Sequence, residues 1–230
     1  MREIVFDTET TGFDHDKDDR IVEVGCVELV NYLPTGKEFQ IYINPGRAMG
    51  EGAMRVTGIT NDMLKGKPSF SHPDVVDRLM EFFGDSIIVA HNAEFDRNFL
   101  NAELTRLGRA TVPKDRFVDT VVLAREHRPG SPASLDAVCK RFNISLEGRE
   151  LHGALKDARL LSMCYLELKG GRERAFDFAA KNNGAAAQAA NIARAPRPTP
   201  LAPRIHAEEQ AAHDAFVATL GEAAIWKKYA

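Results

Sequence analysis

Two carboxylates stand two residues apart at the end of an apolar run, in the stretch IVFDTETTGF (residues 4–13). Successive side chains of a strand alternate faces, so Asp7 and Glu9 project in the same direction if this segment is a strand. Neighbouring carboxylates repel, and a cation between them removes the cost of ionising both. Hard oxygen ligands favour Mg²⁺ or Mn²⁺. The spacing therefore predicts a metal site, and the alternative is a solvated strand end with two surface acids.

A third acid, Asp96, lies in the stretch HNAEFDRNF (residues 91–99), after a short apolar strand and early in a helix. Phe95 and Phe99 define the buried face of that helix, and Asp96 is one position away from it. A half-buried carboxylate needs a partner, because burying an unpaired charge is costly. Asp96 is therefore a further candidate site residue. The alternative is a helix-start charge that interacts with the helix dipole.

A histidine and a fourth acid follow in the stretch LHGALKDARLL (residues 151–161). Five residues of helix turn through about 500°, so His152 and Asp157 would lie about 140° apart and cannot share one helical face. We therefore expect His152 in the loop ahead of Gly153 and Asp157 on the helix, facing the sheet. A histidine there could accept a proton near neutral pH.

The scaffold that must position these residues is predicted from the hydrophobic pattern. Strands are expected at residues 3–8, 20–30 and 37–43, with a turn at NYLPTGK (residues 31–37). Helices and short strands then alternate from about residue 71 to residue 168. This order predicts an α/β protein with a mixed sheet and helices on its faces.

In this order the motifs resemble the DEDDh family of 3′–5′ exonucleases, which have a ribonuclease-H-like fold. The resemblance is carried by FDTETTG (residues 6–12), HNAEFD (residues 91–96) and LHGALKDA (residues 151–158). It implies that His152 is the general base. It implies four catalytic, metal-binding acids, namely Asp7, Glu9, Asp96 and Asp157. It also implies a set of substrate contacts, namely Asp7, Glu9, Thr10, Thr57 and Asp157.

Further segments resemble the proofreading (epsilon) subunits of bacterial DNA polymerase III, namely LPTGK, SLDAVCKRF and, more distantly, AEEQAAHD. The resemblance implies removal of mismatched nucleotides from the 3′ end of nascent DNA. Two positions depart from the family pattern: Gly52 stands where relatives carry a carboxylate, and Thr57 where they carry a histidine. Both family positions contact the terminal nucleotide. Glu51 is adjacent to the first, and Thr57 keeps one hydroxyl donor.

The resemblance also implies how the four acids share the work. Phosphodiester hydrolysis needs an activated water and stabilisation of negative charge, and two divalent cations about 3.5–4 Å apart provide both. Asp7 would bridge the cations, Glu9 and Asp157 would hold the one nearest the attacking water, and Asp96 would serve the second. His152 would take the proton of the water. The product would be a nucleoside 5′-monophosphate.

Charge is distributed unevenly over the 230 residues. Residues 1–170 carry 22 Lys+Arg and 27 Asp+Glu, a balance of −5, whereas residues 171–230 carry 8 and 6, a balance of +2. An acidic domain attracts a phosphate backbone only weakly. We therefore expect efficient proofreading to depend on tethering to the polymerase, which raises the effective concentration of the nuclease.

The composition predicts three parts: an exonuclease domain at residues 1–171, a flexible linker at 172–205 and a polymerase-binding helix at 206–230. The linker prediction rests on eight Ala and four Pro within residues 184–204. The helix prediction rests on Ala212, Phe216 and Leu220 at spacings of four, with Trp226 near the end. Such a helix would bind the catalytic (alpha) subunit of the polymerase. The alternative is a frayed tail that folds back on the domain.

Further sequence features limit which partners and which location we expect. The stretch RERAFDF (residues 172–178) stands where relatives bind the sliding clamp, but it lacks the glutamine that opens that motif, so we expect at most a weak clamp contact. No apolar run approaches the roughly 18 residues of a membrane span. We expect a cytoplasmic protein of the replisome. Two alternatives stay open: a free-standing RNA or oligonucleotide exonuclease, and a non-catalytic scaffold that binds the polymerase.

Overall fold

The structure is a computed structural model that describes residues 1–147, 151–171 and 205–221. The chain divides into two compact units, Met1–Phe176 and Asp177–Ala230. The strands of the first unit are β1 (Arg2–Thr10), β2 (Ile21–Val30), β3 (Leu33–Tyr42), β4 (Ile87–Ala90) and β5 (Phe117–Asp119). Its helices are α1 (Glu51–Thr57), α2 (Asn61–Leu64), α3 (Pro73–Phe83), α4 (Ala93–Arg106), α5 (Thr120–His127), α6 (Leu135–Arg141) and α7 (Ala154–Leu168), with a 3₁₀ turn at Lys114–Arg116.

The five strands form one mixed sheet in the order β3-β2-β1-β4-β5. β1 is antiparallel to β2 and parallel to β4, and β4 is parallel to β5. The predicted mixed α/β architecture is therefore confirmed. The central position of β1 places its last residues, including Asp7 and Glu9, at the middle of the sheet edge where the parallel strands end.

The two faces of β1 enter different cores, because alternate side chains of a strand point in opposite directions. Ile4 and Phe6 pack with residues of α3 and α4, including Phe83 and Phe99. Val5 packs on the other face with residues of α6 and α7. Asp7 and Glu9 continue the Val5 face, toward α7, whereas the intervening Thr8 continues the face toward α4.

The hairpin between β2 and β3 differs from the prediction. The expected turn at residues 31–37 is reduced to Asn31 and Tyr32, which adopt φ values of 52° and 70°. A two-residue turn with both φ values positive matches the right-handed twist of the flanking strands, so β3 begins directly at Leu33. Pro34 is accommodated inside the strand because β3 is an edge strand of the sheet.

Two short helices, α1 and α2, are absent from the sequence-based prediction. They contain only seven and four residues, and α1 carries Gly52 in its first turn, so they give little periodic signal. α1 ends at Thr57 and is capped by Gly58, which adopts a left-handed φ of 72°. Met49, Ile59 and Leu64 around these helices pack on Val22 of β2 in a small separate cluster.

The second unit contains one described helix, α8 (Ala207–Thr219). Its side chains are largely exposed, and Phe216 retains 60% of its accessible surface. The described helix ends at Thr219, and Gly221 follows with a φ of 73°. Residues 222–230 of the predicted helix lie outside the described residues. Residues 172–204 of the predicted linker, the predicted clamp-binding stretch 172–178 and Trp226 lie outside the described residues.

No helix within the three described ranges combines the length and the apolar character that a membrane crossing requires.

Candidate active site

Asp7 and Glu9 lie at the carboxyl end of β1 and project toward α7, as the alternation of the strand predicts. Burial raises the pKa of the Asp7 carboxyl well above its ordinary value, and the negative charge of the neighbouring Asp96, Glu9, Asp157 and Glu23 raises it further. The predicted grouping of carboxylates is therefore present. Without a cation, the site favours the protonated form of Asp7.

Asp96 lies in the first turn of α4 and is more deeply buried than the expected half-buried position, with 3% of its surface exposed. Its Oδ1 accepts a hydrogen bond of 2.7 Å from the Thr8 hydroxyl, so Thr8 brings the α4 acid to the end of β1. Burial raises the pKa of Asp96 to about 7, against the opposing effect of the Thr8 hydrogen bond. The two acids Asp7 and Asp96 thus approach the same edge of the sheet from opposite faces.

His152 and Asp157 occupy the positions that the sequence predicts, one in the loop before α7 and the other in its first turn. His152 Nδ1 lies 3.1 Å from Asp157 Oδ2. The histidine side chain is 47% exposed and the aspartate side chain 6% exposed. Ligand-type atoms of Glu9, His152 and Asp157 all lie within 4.8 Å of one another. The arrangement joins a buried carboxylate to a solvent-accessible imidazole beside the strand-end acids.

Gly25 allows α7 to approach the sheet closely enough for this grouping. It lies opposite Asp7 in the register of β1 and β2. A Cβ atom at Gly25 would overlap the backbone of Ala154 and Leu155 at the start of α7. Any larger residue would therefore displace the turn that carries Asp157.

A cavity of about 520 Å³ opens beside Glu9 between the end of β1, the following loop and α1. Two aromatic side chains line it: Phe13, which is 90% exposed, and Phe95, whose ring centroid lies 6.5 Å from that of Phe13. Thr10 and Thr57, both predicted to contact substrate, also line this cavity. The cavity is large enough for a nucleotide-sized group and presents aromatic surfaces on which a base can stack.

The hydroxyl groups of the two predicted threonine contacts are engaged with the backbone. Thr57 Oγ1 donates to the Ala53 carbonyl at 3.0 Å and accepts the Ile59 N–H at 3.1 Å. Thr10 Oγ1 donates to the Gly12 carbonyl. Both residues therefore line the cavity, and both hydroxyl donors are already used in hydrogen bonds to backbone carbonyls.

Three residues of the site escape the sequence analysis. Thr8 stands between the two acids of the first motif, but its partner on α4 is set by tertiary packing. Phe13 lies in the loop after the same motif, and its sequence position alone does not show that its exposed ring lines the cavity. Glu23 lies within a strand of mostly apolar residues, so the sequence gives no sign of its role. In the structure it is 1% exposed and accepts a hydrogen bond from the Ala154 N–H at the start of α7.

Comparison with known proteins identifies the chain's relatives. A family described as Exonuclease matches residues 4–164. The DNA polymerase III subunit epsilon of Rickettsia felis is 49% identical over 185 residues, which is 79% of this chain and 80% of that protein. The corresponding protein of Escherichia coli K12 is 40% identical over 179 residues, 74% of this chain and 72% of that protein.

Solved structures of exonucleases share the fold of this chain. Exonuclease X in complex with 5′ overhanging duplex DNA superposes with a TM-score of 0.57 at 25% identity, over 72% of this chain and 90% of that chain. The nuclease domain of 3′hExo, a DEDDh family member bound to rAMP, has a TM-score of 0.61 at 18% identity, over 75% and 94% of the two chains. The latter likeness establishes the fold, which is the expected ribonuclease-H-like sheet flanked by helices. The chain belongs to the exonuclease family and, within it, to the epsilon subunits of DNA polymerase III.

Proposed function

We propose that this protein proofreads replicated DNA by hydrolysing mismatched nucleotides from the 3′ end, as the epsilon subunit of DNA polymerase III. The observation that carries this proposal is the convergence of four carboxylates and one imidazole beside a nucleotide-sized cavity. The similarity to epsilon subunits over more than two thirds of both chains supports the same activity.

The donor set fits divalent metal ions, which we propose to be Mg²⁺ or Mn²⁺. The ligand atoms available are carboxylate oxygens with one imidazole nitrogen, and hard cations prefer such oxygens. The raised pKa of Asp7 supports the same proposal. Burial is its main cause and repulsion by the neighbouring carboxylates adds to it, and bound positive charge would offset both by stabilising the ionised form. The proposed ligands are Asp7, Glu9, Asp96 and Asp157.

The side chains of the site divide the chemistry in a simple way. Bound cations would make water a stronger nucleophile and would stabilise the charge that develops on the phosphate. His152 accepts the proton of the attacking water. A proton on Nδ1 that is donated to Asp157 leaves the ring lone pair on Nε2, and the exposure of the ring gives it access to water and substrate.

The cavity beside Glu9 is the proposed binding site for the terminal nucleotide. Phe13 and Phe95 offer surfaces for the unpaired base, and Thr10 and Thr57 line the wall with hydroxyl donors that are already bound to backbone carbonyls. This pocket accepts a single unstacked base. A mismatched 3′ end frays more readily than a paired end and therefore enters more often.

The second unit is the proposed attachment to the polymerase catalytic (alpha) subunit. Phe216 in the last turn of α8 and Leu220, the residue that caps its carboxyl end, are both exposed and lie four residues apart. Exposed aromatic and aliphatic groups at helical spacing are the usual anchors of a helix that binds a partner groove. Residues 172–204 would provide the tether.

The proposal is tested with three 5′-labelled substrates in Mg²⁺: a primer with a mismatched 3′ end, the same primer fully paired on its template, and an RNA strand of the same sequence. We expect shortening of the mismatched DNA to be fastest. Equal or faster shortening of RNA would instead identify a free-standing RNA exonuclease, and no shortening of any strand would identify a scaffold.

A further inference from the structure

The carboxylate of Glu23 is buried on β2, directly across the sheet register from Glu9. Only 1% of Glu23 is exposed. Its Oε1 accepts a hydrogen bond of 2.7 Å from Gln40 Nε2 on β3, and its Oε2 accepts one of 3.1 Å from the backbone N–H of Ala154. A buried carboxylate with a partner on each oxygen is held in one orientation. Neither partner belongs to the proposed catalytic set.

The bond to Ala154 fixes the first residue of α7. The first N–H groups of a helix have no partner within the helix and are usually satisfied by the side chain of the N-cap residue. The N-cap of α7 is Gly153, which has no side chain to offer. Glu23 supplies the missing acceptor from a neighbouring strand, and its negative charge also suits the positive end of the helix dipole.

The same short segment carries the two residues whose relative position matters for proton transfer. The Asp157 N–H donates to the Gly153 carbonyl at 2.8 Å in the first turn of α7. The His152 backbone N–H donates to the Val56 carbonyl of α1 at 3.1 Å. The segment 152–154 is therefore anchored to α1 at one end and to Glu23 of β2 at the other.

We propose that Glu23 is a positioning residue for the hydrolytic reaction: it holds the start of α7 so that the His152 imidazole stays aligned with Asp157 and the substrate. Glu23 does not touch the reacting atoms and acts through His152. The inference rests on the proposed function for its kinetic consequence, whereas its structural consequence can be measured without substrate.

The test compares Glu23→Leu with Glu23→Gln. Leucine fills similar volume but cannot accept the Ala154 N–H. Glutamine keeps a carbonyl acceptor for Ala154, and the Gln40 amide can turn to accept from the new side-chain NH₂. The matched control is Tyr165→Phe, which removes the 2.7 Å hydrogen bond from Tyr165 to Glu3 that joins α7 to β1 away from the site. All three variants are made in the full chain.

We expect Glu23→Leu to lower kcat on single-stranded DNA by roughly 10- to 100-fold with KM changed less than about 3-fold, because a small misplacement of a catalytic group has effects of this size. Glu23→Gln should keep kcat within about 3-fold of wild type. Tyr165→Phe should lower the unfolding temperature while leaving kcat unchanged. In a His152→Ala background, Glu23→Leu should cost little further activity, since two residues that act as a unit are not additive.

The readout independent of activity is the NMR signal of the His152 ring, assigned by its loss in His152→Ala. Glu23→Leu should shift it, and Tyr165→Phe should not. Three results for Glu23→Leu would overturn the proposal: an unshifted His152 ring signal, a kcat within about 2-fold of wild type, or a loss of kcat in the His152→Ala background as large as in the wild-type background.

If Glu23→Leu does not fold, Gln40→Leu replaces it as the test. The exposed Gln40 donates a hydrogen bond to the Glu23 carboxylate, so its loss should lower kcat in the same direction but by a smaller factor. If the wild-type protein shows no exonuclease activity but Glu23→Leu still shifts the His152 ring signal, the proposed function is refuted and the positioning of His152 by Glu23 is supported.

Discussion

His152 Nδ1 lies 3.1 Å from Asp157 Oδ2, so the exposed imidazole of the loop before α7 is tied to the buried carboxylate in the first turn of that helix. The contact holds the ring through Nδ1, and the histidine side chain remains 47% exposed. This relationship is what a general base requires, because a fixed ring with one defined tautomer transfers protons along a defined direction.

Replacement of the imidazole should separate proton transfer from metal binding. We expect His152→Ala to lower the rate of hydrolysis by roughly 10²–10⁴, the usual contribution of a general base, with Mn²⁺ binding by calorimetry little changed. His127→Ala, which removes an exposed histidine at the end of α5, is the control and should keep the wild-type rate. A His152→Ala variant that retained the wild-type rate would exclude His152 as the base.

Loss of a strand-end or helix acid should remove activity and metal binding together. We expect Asp7→Ala and Asp157→Ala to abolish hydrolysis while circular dichroism shows an intact fold, because each removes a proposed ligand without opening the core. The control is Asp62→Ala, which removes an exposed acid of α2. Mn²⁺ titration calorimetry provides the second measurement. Wild-type heat of binding in Asp7→Ala would show that the cation is held elsewhere.

The raised pKa values of Asp7 and Asp96 predict how stability depends on pH without metal. The pKa of aspartate is ordinarily 3.8, and that of Asp96 in the folded protein is raised to about 7. At pH values between these two, the folded state binds more protons than the unfolded state. The free energy of unfolding of the metal-free protein should therefore fall as pH rises through this range. The unfolding temperature measured in chelator should be lower at pH 8 than at pH 5.5.

Bound Mg²⁺ should remove most of this dependence by stabilising the ionised carboxylates, so it should raise the unfolding temperature more at pH 8 than at pH 5.5. Asp96→Asn is the control, because the amide cannot ionise; it should weaken the pH dependence of the metal-free unfolding temperature and leave the part that Asp7 contributes. A metal-free unfolding temperature that rises from pH 5.5 to pH 8 would contradict the electrostatic description of the site.

The tail prediction concerns association. A chain cut after Gly171 should keep its rate on free single strands, since every proposed catalytic residue precedes the cut, and should lose copurification with the polymerase alpha subunit. Phe216→Glu in the full chain should reproduce most of that loss by placing a charge on the exposed apolar position of α8. Gln210→Glu adds the same charge elsewhere on α8 and should keep binding. Tight binding of the truncated chain would locate the contact on the nuclease domain.

The site acids could be predicted because their signals are local. Asp7 and Glu9 follow a strand whose period of two fixes their common direction, and the loop position of His152 follows from the geometry of a helix that also carries Asp157. The order of strands and helices likewise predicts the mixed sheet. The domain boundaries and the individual roles of the site residues stay predictions.

What the sequence could not supply depends on contacts between distant segments. The burial of Asp96 and its bond to Thr8 follow from the packing of α4 on β1, which no periodicity records. α1 is too short to give a period, yet it forms a wall of the cavity and anchors the backbone of His152. The β2–β3 turn was overestimated because Pro34 and Gly36 are typical of turns, whereas an edge strand accommodates both.

Metal-dependent 3′–5′ exonuclease activity is tested most simply by following the shortening of a 5′-labelled single strand by the full chain, with Mg²⁺ and with excess chelator, and by identifying the mononucleotides released. The acid cluster, the imidazole and the cavity together predict stepwise shortening from the 3′ end, nucleoside 5′-monophosphates as products, and no shortening in chelator. Shortening that continues undiminished in chelator, or an intact strand in the presence of Mg²⁺ and Mn²⁺, would contradict it.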